Sequence, residues 1–235
     1  MIDIHAHVLP GIDDGARTLT DSADLVRELV ASGVTAIVAT PHFVPETNYV
    51  SPKKENTKLL KELKRAISNE GLDVELYLGN EIYIDRNIEG LMKHGKISMM
   101  AGGDYLLVEL PLSGEFPNYR DIMLDLMEAG RRVILAHPER YEIAQKDFGV
   151  LEELHKMGVL FQCNLCSVTG KYGRGAKKVL KKLLEQKMVF GFGSDIHHCH
   201  GADYWLAAQR KLAKYCDENE LKRLLLTNPR KIIEG

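Results

Sequence analysis

The chain has little of what marks a membrane protein, a disulfide-stapled scaffold or a nucleic-acid binder. No apolar run approaches the roughly 18 residues that a bilayer-spanning helix needs, so membrane insertion is not expected. The start, Met1-Ile2-Asp3-Ile4-His5, lacks the basic segment and apolar stretch of a signal peptide. Four cysteines in 235 residues do not make a disulfide framework, and the cytoplasm is the expected location. Lys and Arg number 31 against 33 Asp and Glu, for a net charge of -2. That balance argues against nucleic acid as a partner, because such binders carry a basic excess. There is no linker, internal repeat or low-complexity tract, so residues 1–235 are expected to form a single domain. With 45% hydrophobic residues the chain can bury a core of ordinary size.

Short apolar runs alternate with longer stretches of helical period. Strands are expected at Ile2–Ile4, Ala36–Thr40, Val74–Leu78, Tyr105–Glu109, Val133–Ala136, Val159–Asn164 and Val189–Gly193. Helical stripes run through Leu25, Val26, Leu29 and Val30, through Leu59, Leu60, Leu63, Ala66 and Ile67, and through Val150, Leu151 and Leu154. A further stripe is Val179, Leu180, Leu183 and Leu184, and Asp217 and Glu220 have capping-box spacing before Leu221. All these stripes read as core packing. Repeated β–α units imply parallel strands with right-handed crossovers. The expected class is α/β, as a closed or nearly closed barrel of the TIM type. An open doubly wound sheet would often carry a glycine-rich loop after its first strand, where this chain has His5-Ala6-His7.

The chain holds nine histidines, and their placing is informative. His5 and His7 follow the first strand, His42 the second and Glu81 the third. Glu109 ends the fourth, His137 follows the fifth, and Asp195 and His197 follow the seventh. In a parallel barrel the C-terminal ends of the strands meet on one face, where active sites are built. Residues two apart on an extended strand face the same side, so His5-x-His7 and Asp195-x-His197 can each aim two ligands at one point. A lone His-x-His is often accidental, and a lone strand-end histidine is more often a hydrogen-bonded core or surface group. The joint agreement of these positions favours a metal cluster too rich in ligands for one ion. His94 and His155 lack that context and are expected on the surface, and His198 and His200 in solvent or supporting roles.

The His5-x-His7 start, the Asp13-Asp14-Gly15 turn, Thr40-Pro41-His42, Glu81, His137-Pro138-Glu139-Arg140 and Ser194-Asp195-Ile196-His197 resemble the polymerase and histidinol phosphatase (PHP) superfamily. Within it the chain looks most like the bacterial tyrosine-protein phosphatases of capsular and exopolysaccharide loci. The match runs from Met1 to about Asn228-Pro229-Arg230. The resemblance implies a distorted (β/α)7 barrel holding three divalent metals, manganese foremost, with iron, zinc and magnesium as alternatives. It implies that His5, His7, Glu81 and Asp195 hold the first metal. Glu81 bridges to a second, completed by Glu109 and His137. Asp14, His42 and His197 hold the third, with Asp13 as a competitor for the place of Asp14. Arg140 is expected to grip phosphate, for which its planar fork is suited. The implied substrate is a phosphotyrosine-containing protein, a bacterial tyrosine kinase of polysaccharide export. The chain departs from that branch at His198-Cys199-His200-Gly201-Ala202, where a second phosphate-binding arginine is common; the next arginine is Arg210.

Two metals can supply an acidified water and neutralise phosphoryl charge, which is what phosphomonoester hydrolysis requires. His200 is a candidate to assist the leaving group. Cysteine chemistry is disfavoured: a phosphate loop needs arginine six positions after the thiolate, and Thr169, Tyr172, Trp205 and Lys222 stand there. Cys163 and Cys166 are expected as buried apolar filler. The competing readings are a small-molecule phosphatase, such as one for histidinol phosphate, and a noncatalytic metal-stabilised binding protein. Lys53, Lys54, Lys58, Lys61 and Lys64 are read as a solvated helix face.

Overall fold

A computed structural model describes residues 1–114 and 117–234. Its strands are β1 (Ile2–Ala6), β2 (Ala36–Ala39), β3 (His42–Phe43), β4 (Glu75–Leu78), β5 (Glu81–Tyr83), β6 (Tyr105–Glu109), β7 (Arg132–Ala136), β8 (Leu160–Asn164) and β9 (Val189–Gly193). They form two sheets, β1-β2-β4 and β3-β5-β6-β7-β8-β9, and every pairing is parallel. The longer helices between them are α1 (Leu19–Ala31), α2 (Lys53–Asn69), α3 (Tyr119–Glu128), α4 (Gly149–Met157), α5 (Gly173–Glu185) and α6 (Ala202–Leu212).

The seven expected strands are present, and two short strands that were not expected, β3 and β5, follow the second and third after a break; this places the site residues. Pro41 has no N–H to give the ladder. Its carbonyl instead accepts Glu81 N at 3.1 Å and Asn80 Nδ2 at 2.9 Å. Asn80 Oδ1 accepts Ser98 N at 2.8 Å, which fixes the second break. His42 and Glu81, expected just beyond strand ends, therefore begin strands of their own and face each other in register. At the barrel seam, Asp195 N donates to His5 O at 2.8 Å and His7 N to Ile196 O at 3.1 Å. Gly193 permits that approach, because a Cβ there would lie 2.5 Å from His5 Cβ. The result is the distorted parallel (β/α) barrel of the TIM type, joined between its first and last strands by a short bridge at Ala6 and Ile196.

Alternate residues of a strand serve opposite faces, and β6 shows it. Leu106 and Val108 join the large apolar cluster with Leu25, Leu63, Leu126, Leu154 and Leu183 of the helices. Tyr105 and Leu107 join a smaller cluster with Ile2, Ile4, Val38, Ile134, Phe190 and, from the C-terminal helix, Ile232. Leu63 and Leu183 are fully buried, so the helical stripes are core as expected. Asp217 caps the last helical segment by accepting Glu220 N at 2.8 Å. The reciprocal half of the capping box is missing, because the Glu220 carboxylate pairs with Arg223 at 2.6 Å. The five lysines named on α2 are exposed, and Lys58 is paired with Glu55 and Glu62.

Candidate metal centre

The ends of β1, β6, β7 and β9 and the starts of β3 and β5 bring nine expected residues together. His5 Nε2 and His7 Nε2 face each other at 3.1 Å. Glu81 Oε2 lies 3.2 Å from the first and 3.3 Å from the second. Asp195 Oδ1 completes this group at 3.6 and 3.5 Å. His137 Nε2 stands 2.8 Å from Glu81 Oε1 and 3.5 Å from Glu109 Oε1. Asp14 Oδ1 lies 3.4 Å from His42 Nε2 and 3.2 Å from His197 Nε2. The groupings overlap more than expected: His7 also clusters with Asp14, His42 and His197, and His42 with Glu81 and Glu109.

Supporting residues hold the Nδ1 of three histidines and turn their Nε2 towards the cluster. A histidine that donates from Nδ1 presents a bare Nε2. His5 Nδ1 donates to Gln162 Oε1 at 2.7 Å, His7 Nδ1 to Asp13 Oδ2 at 2.9 Å and His197 Nδ1 to Asp195 O at 3.1 Å. Asp13 is thus occupied elsewhere. Its carboxylate also accepts the backbone N–H groups of His42 at 3.0 Å and Gly15 at 3.0 Å. Gly15 is needed because a Cβ would lie 2.2 Å from His7 O. Between adjacent aspartates, Asp14 faces the ring nitrogens and Asp13 orients them. Asn164 Nδ2 donates to Asp195 Oδ2 at 2.6 Å, and Tyr141 OH donates to Ala136 O at 2.7 Å, fixing the peptide before His137. His137 and Asp195 both take left-handed backbone, with φ of 33° and 53°, a strain typical of functional positions. Gln162 and Asn164 were not anticipated. Their signal is two polar residues, two apart, on an otherwise apolar strand.

The charges are closely coupled. Burial opposes protonation of His5, but Glu81 and Asp195 overcome it and raise its pKa to about 9. His7 is raised against burial chiefly by Asp13. Glu81 is held well below the usual carboxylate range, against burial, by His5 and His42. Glu109 is pushed up to about 6 by burial and by Glu81. The hydrogen bond with His197 is the main cause lowering Asp14, opposed by burial.

These residues fit divalent metals. Glu81 Oε2 and His42 Nδ1 are buried 3.0 Å apart without the angles of a good hydrogen bond, a close approach of ligand atoms that a shared cation would satisfy, and buried polar atoms are seldom left poorly bonded. Ligand atoms about 2.1 Å from one ion lie about 3.0–3.4 Å apart in octahedral or tetrahedral geometry, close to the separations above. Imidazole with carboxylate suits zinc, manganese or iron.

Arg140, at the end of a short turn after His137, reaches the same cavity of about 580 Å³ as His42, His137 and Asp195. Its Nη1 donates to Asp195 Oδ2 at 2.8 Å, and its guanidinium lies 4.6 Å from the Tyr172 ring centre. His200 does not line that cavity. It is exposed, in line with the expected solvent role; its ring packs on Tyr204 at 4.7 Å and its backbone N–H donates to Glu28 at 2.9 Å, so its geometry lends no support to help for a leaving group. His94, His155 and His198 are exposed, and Cys163 and Cys166 are buried, as expected.

The family model for capsular polysaccharide synthesis, CpsB/CapC, matches residues 1–234. The chain belongs to the CpsB/CapC family. Among CpsB/CapC relatives it is 34% identical over 239 residues to CapC of Staphylococcus aureus, covering 98% of this chain and 92% of that one. It is 29% identical to the tyrosine-protein phosphatase YwqE of Bacillus subtilis, over 84% of this chain and 78% of that one. A crystal structure from work on YwqE and on CpsB of Streptococcus pneumoniae, described as unique metal-dependent tyrosine phosphatases, superposes with a TM-score of 0.91. That chain is 26% identical, with 100% of this chain and 94% of that one covered. Among the described residues no helix is long and apolar enough to cross a membrane.

Proposed function

We propose that this CpsB/CapC-family chain is a metal-dependent protein-tyrosine phosphatase. The observation that carries the reading is the clustering of nine imidazole and carboxylate side chains, seven of which line one cavity that also holds Arg140, while His5 and His7 lie buried against Glu81 and Asp195. In this reading His5, His7, Glu81 and Asp195 hold one divalent ion. Glu81, Glu109 and His137 hold a second, and Asp14, His42 and His197 a third, with manganese the leading choice. Bound metals supply an acidified water and neutralise phosphoryl charge. The protein's own part is placement. Gln162, Asp13 and the Asp195 carbonyl hold three histidines with Nε2 forward. Asp195 and Tyr172 hold Arg140 where its fork meets the nonbridging phosphate oxygens. A tyrosine phenolate, with a pKa of about 10 in solution, needs less acid help in leaving than an alkoxide.

The partner that follows is a bacterial tyrosine kinase of polysaccharide export, dephosphorylated in the cytoplasm by one catalytic domain. The test compares metal-loaded protein on a phosphotyrosine peptide and on histidinol phosphate. Faster turnover of the peptide is expected. A preference for histidinol phosphate makes the protein a small-molecule phosphatase, and turnover of neither makes it a binding protein.

A further inference from the structure

Metal ligands and Arg140 form only part of the cavity wall. Val44, Tyr49, Tyr83 and Leu112 form another part, and none of them belongs to the metal centre. Tyr49 lies nearly parallel to the His42 ring, 16° apart with centres at 5.9 Å. Its backbone is held by the turn it closes. Val44 N donates to Tyr49 O at 2.7 Å, and Tyr49 N donates to Thr47 Oγ1 at 3.1 Å. Thr47 Oγ1 in turn donates to Val44 O at 2.8 Å. Tyr83 stands in β5 in register with Glu109 of β6. Leu112 is 39% exposed, and Val50, next to Tyr49, is 40% exposed. A polar site with aromatic and apolar walls open at its mouth suits a ligand that is charged at one end and apolar at the other.

We infer that Val44, Tyr49, Tyr83 and Leu112 form a leaving-group wall that selects aryl over alkyl phosphomonoesters. This rests on the phosphatase reading of the same cavity. In the hydrolysis a water oxygen forms the new P–O bond and the aryl P–O bond breaks. The departing phenolate oxygen takes up one of the water's protons. The wall covers the aromatic ring, and Leu112 extends the contact to residues flanking a phosphotyrosine.

The test uses metal-loaded protein and two inhibitors with the same head group, phenylphosphonate and methylphosphonate. Each is measured against phosphotyrosine-peptide hydrolysis in the native protein and in Tyr49→Ala, Tyr49→Phe and Leu112→Ala. The native protein should prefer phenylphosphonate. That preference should fall about threefold to tenfold in Tyr49→Ala, the size of one aromatic contact, fall in Leu112→Ala and survive in Tyr49→Phe. Leu112 is exposed, so its truncation reports even where Tyr49→Ala folds poorly. A preference unmoved in both alanine variants overturns the wall while peptide hydrolysis by the native protein still upholds the phosphatase reading. A native protein that hydrolyses no phosphomonoester overturns both.

Discussion

Asp13 and Asp14 are adjacent and chemically identical, so replacing each separately tests the division of labour most sharply. Asp13 Oδ2 is 2.9 Å from His7 Nδ1 and 3.0 Å from His42 N. Replacing a charge-assisted bond, worth about 1.5–3 kcal/mol, by a neutral one of about 1 kcal/mol leaves a loss of roughly 0.5–2 kcal/mol. Asp13→Asn should therefore weaken metal binding about tenfold, and Asp13→Ala up to about a hundredfold, the range for groups that orient ligands. Removing the carboxylate also lowers the proton affinity of His7, which eases metal entry at neutral pH; the loss of ring orientation outweighs it. Asp14→Ala removes one of the proposed ligands outright. Manganese titration of chelator-stripped protein, with metal counted after dialysis, separates the cases. Asp13 variants should bind the full number of ions more weakly, and Asp14→Ala should lose one ion. Loss of an ion in Asp13→Ala with full occupancy in Asp14→Ala would refute the assignment.

Arg140→Ala should lower kcat/KM on a phosphotyrosine peptide roughly 10- to 100-fold through lost charge-assisted bonds. Arg140→Lys should recover little, because lysine lacks the fork; full activity in the lysine variant would contradict this. His5, raised from 6.5 to about 9, stabilises the metal-free fold fully below about 6.5 and loses that contribution as pH rises through 9. Glu81 and Asp195 are lowered, so they stabilise above their ordinary range and lose effect as pH falls. Melting temperatures in chelator should accordingly decline from pH 7 towards 9.5, while manganese binding tightens as proton competition at His5 ends. Leu63→Ala, at a fully buried position, should cost about 2–5 kcal/mol in denaturant unfolding and leave the metal content unchanged.

Much of the candidate site was legible because its imidazoles and carboxylates stand at strand ends with period-two spacing. His5-x-His7, Glu109, His137 and Asp195-x-His197 could all be located from apolar runs alone. The breaks at Pro41 and Asn80 were not, since a two-residue strand such as His42–Phe43 carries no periodicity. Gln162 and Asn164 were hidden for another reason: their partners, His5 and Asp195, lie 157 and 31 residues away. The same holds for Tyr172 beneath Arg140. The choice between Asp13 and Asp14 required side-chain direction, which adjacency cannot supply. His200 misled because a histidine-rich run draws attention, whereas the buried Glu28, bonded to its N–H and to Trp205 Nε1, sets where that segment lies.

The most direct test strips the protein of metal and assays a phosphotyrosine peptide with and without manganese, beside His137→Ala under the same conditions. Phosphate release should appear only with metal, and His137→Ala should lose both bound metal and activity. Release from metal-free protein, or a His137→Ala variant that keeps both, would contradict the metal-centred mechanism.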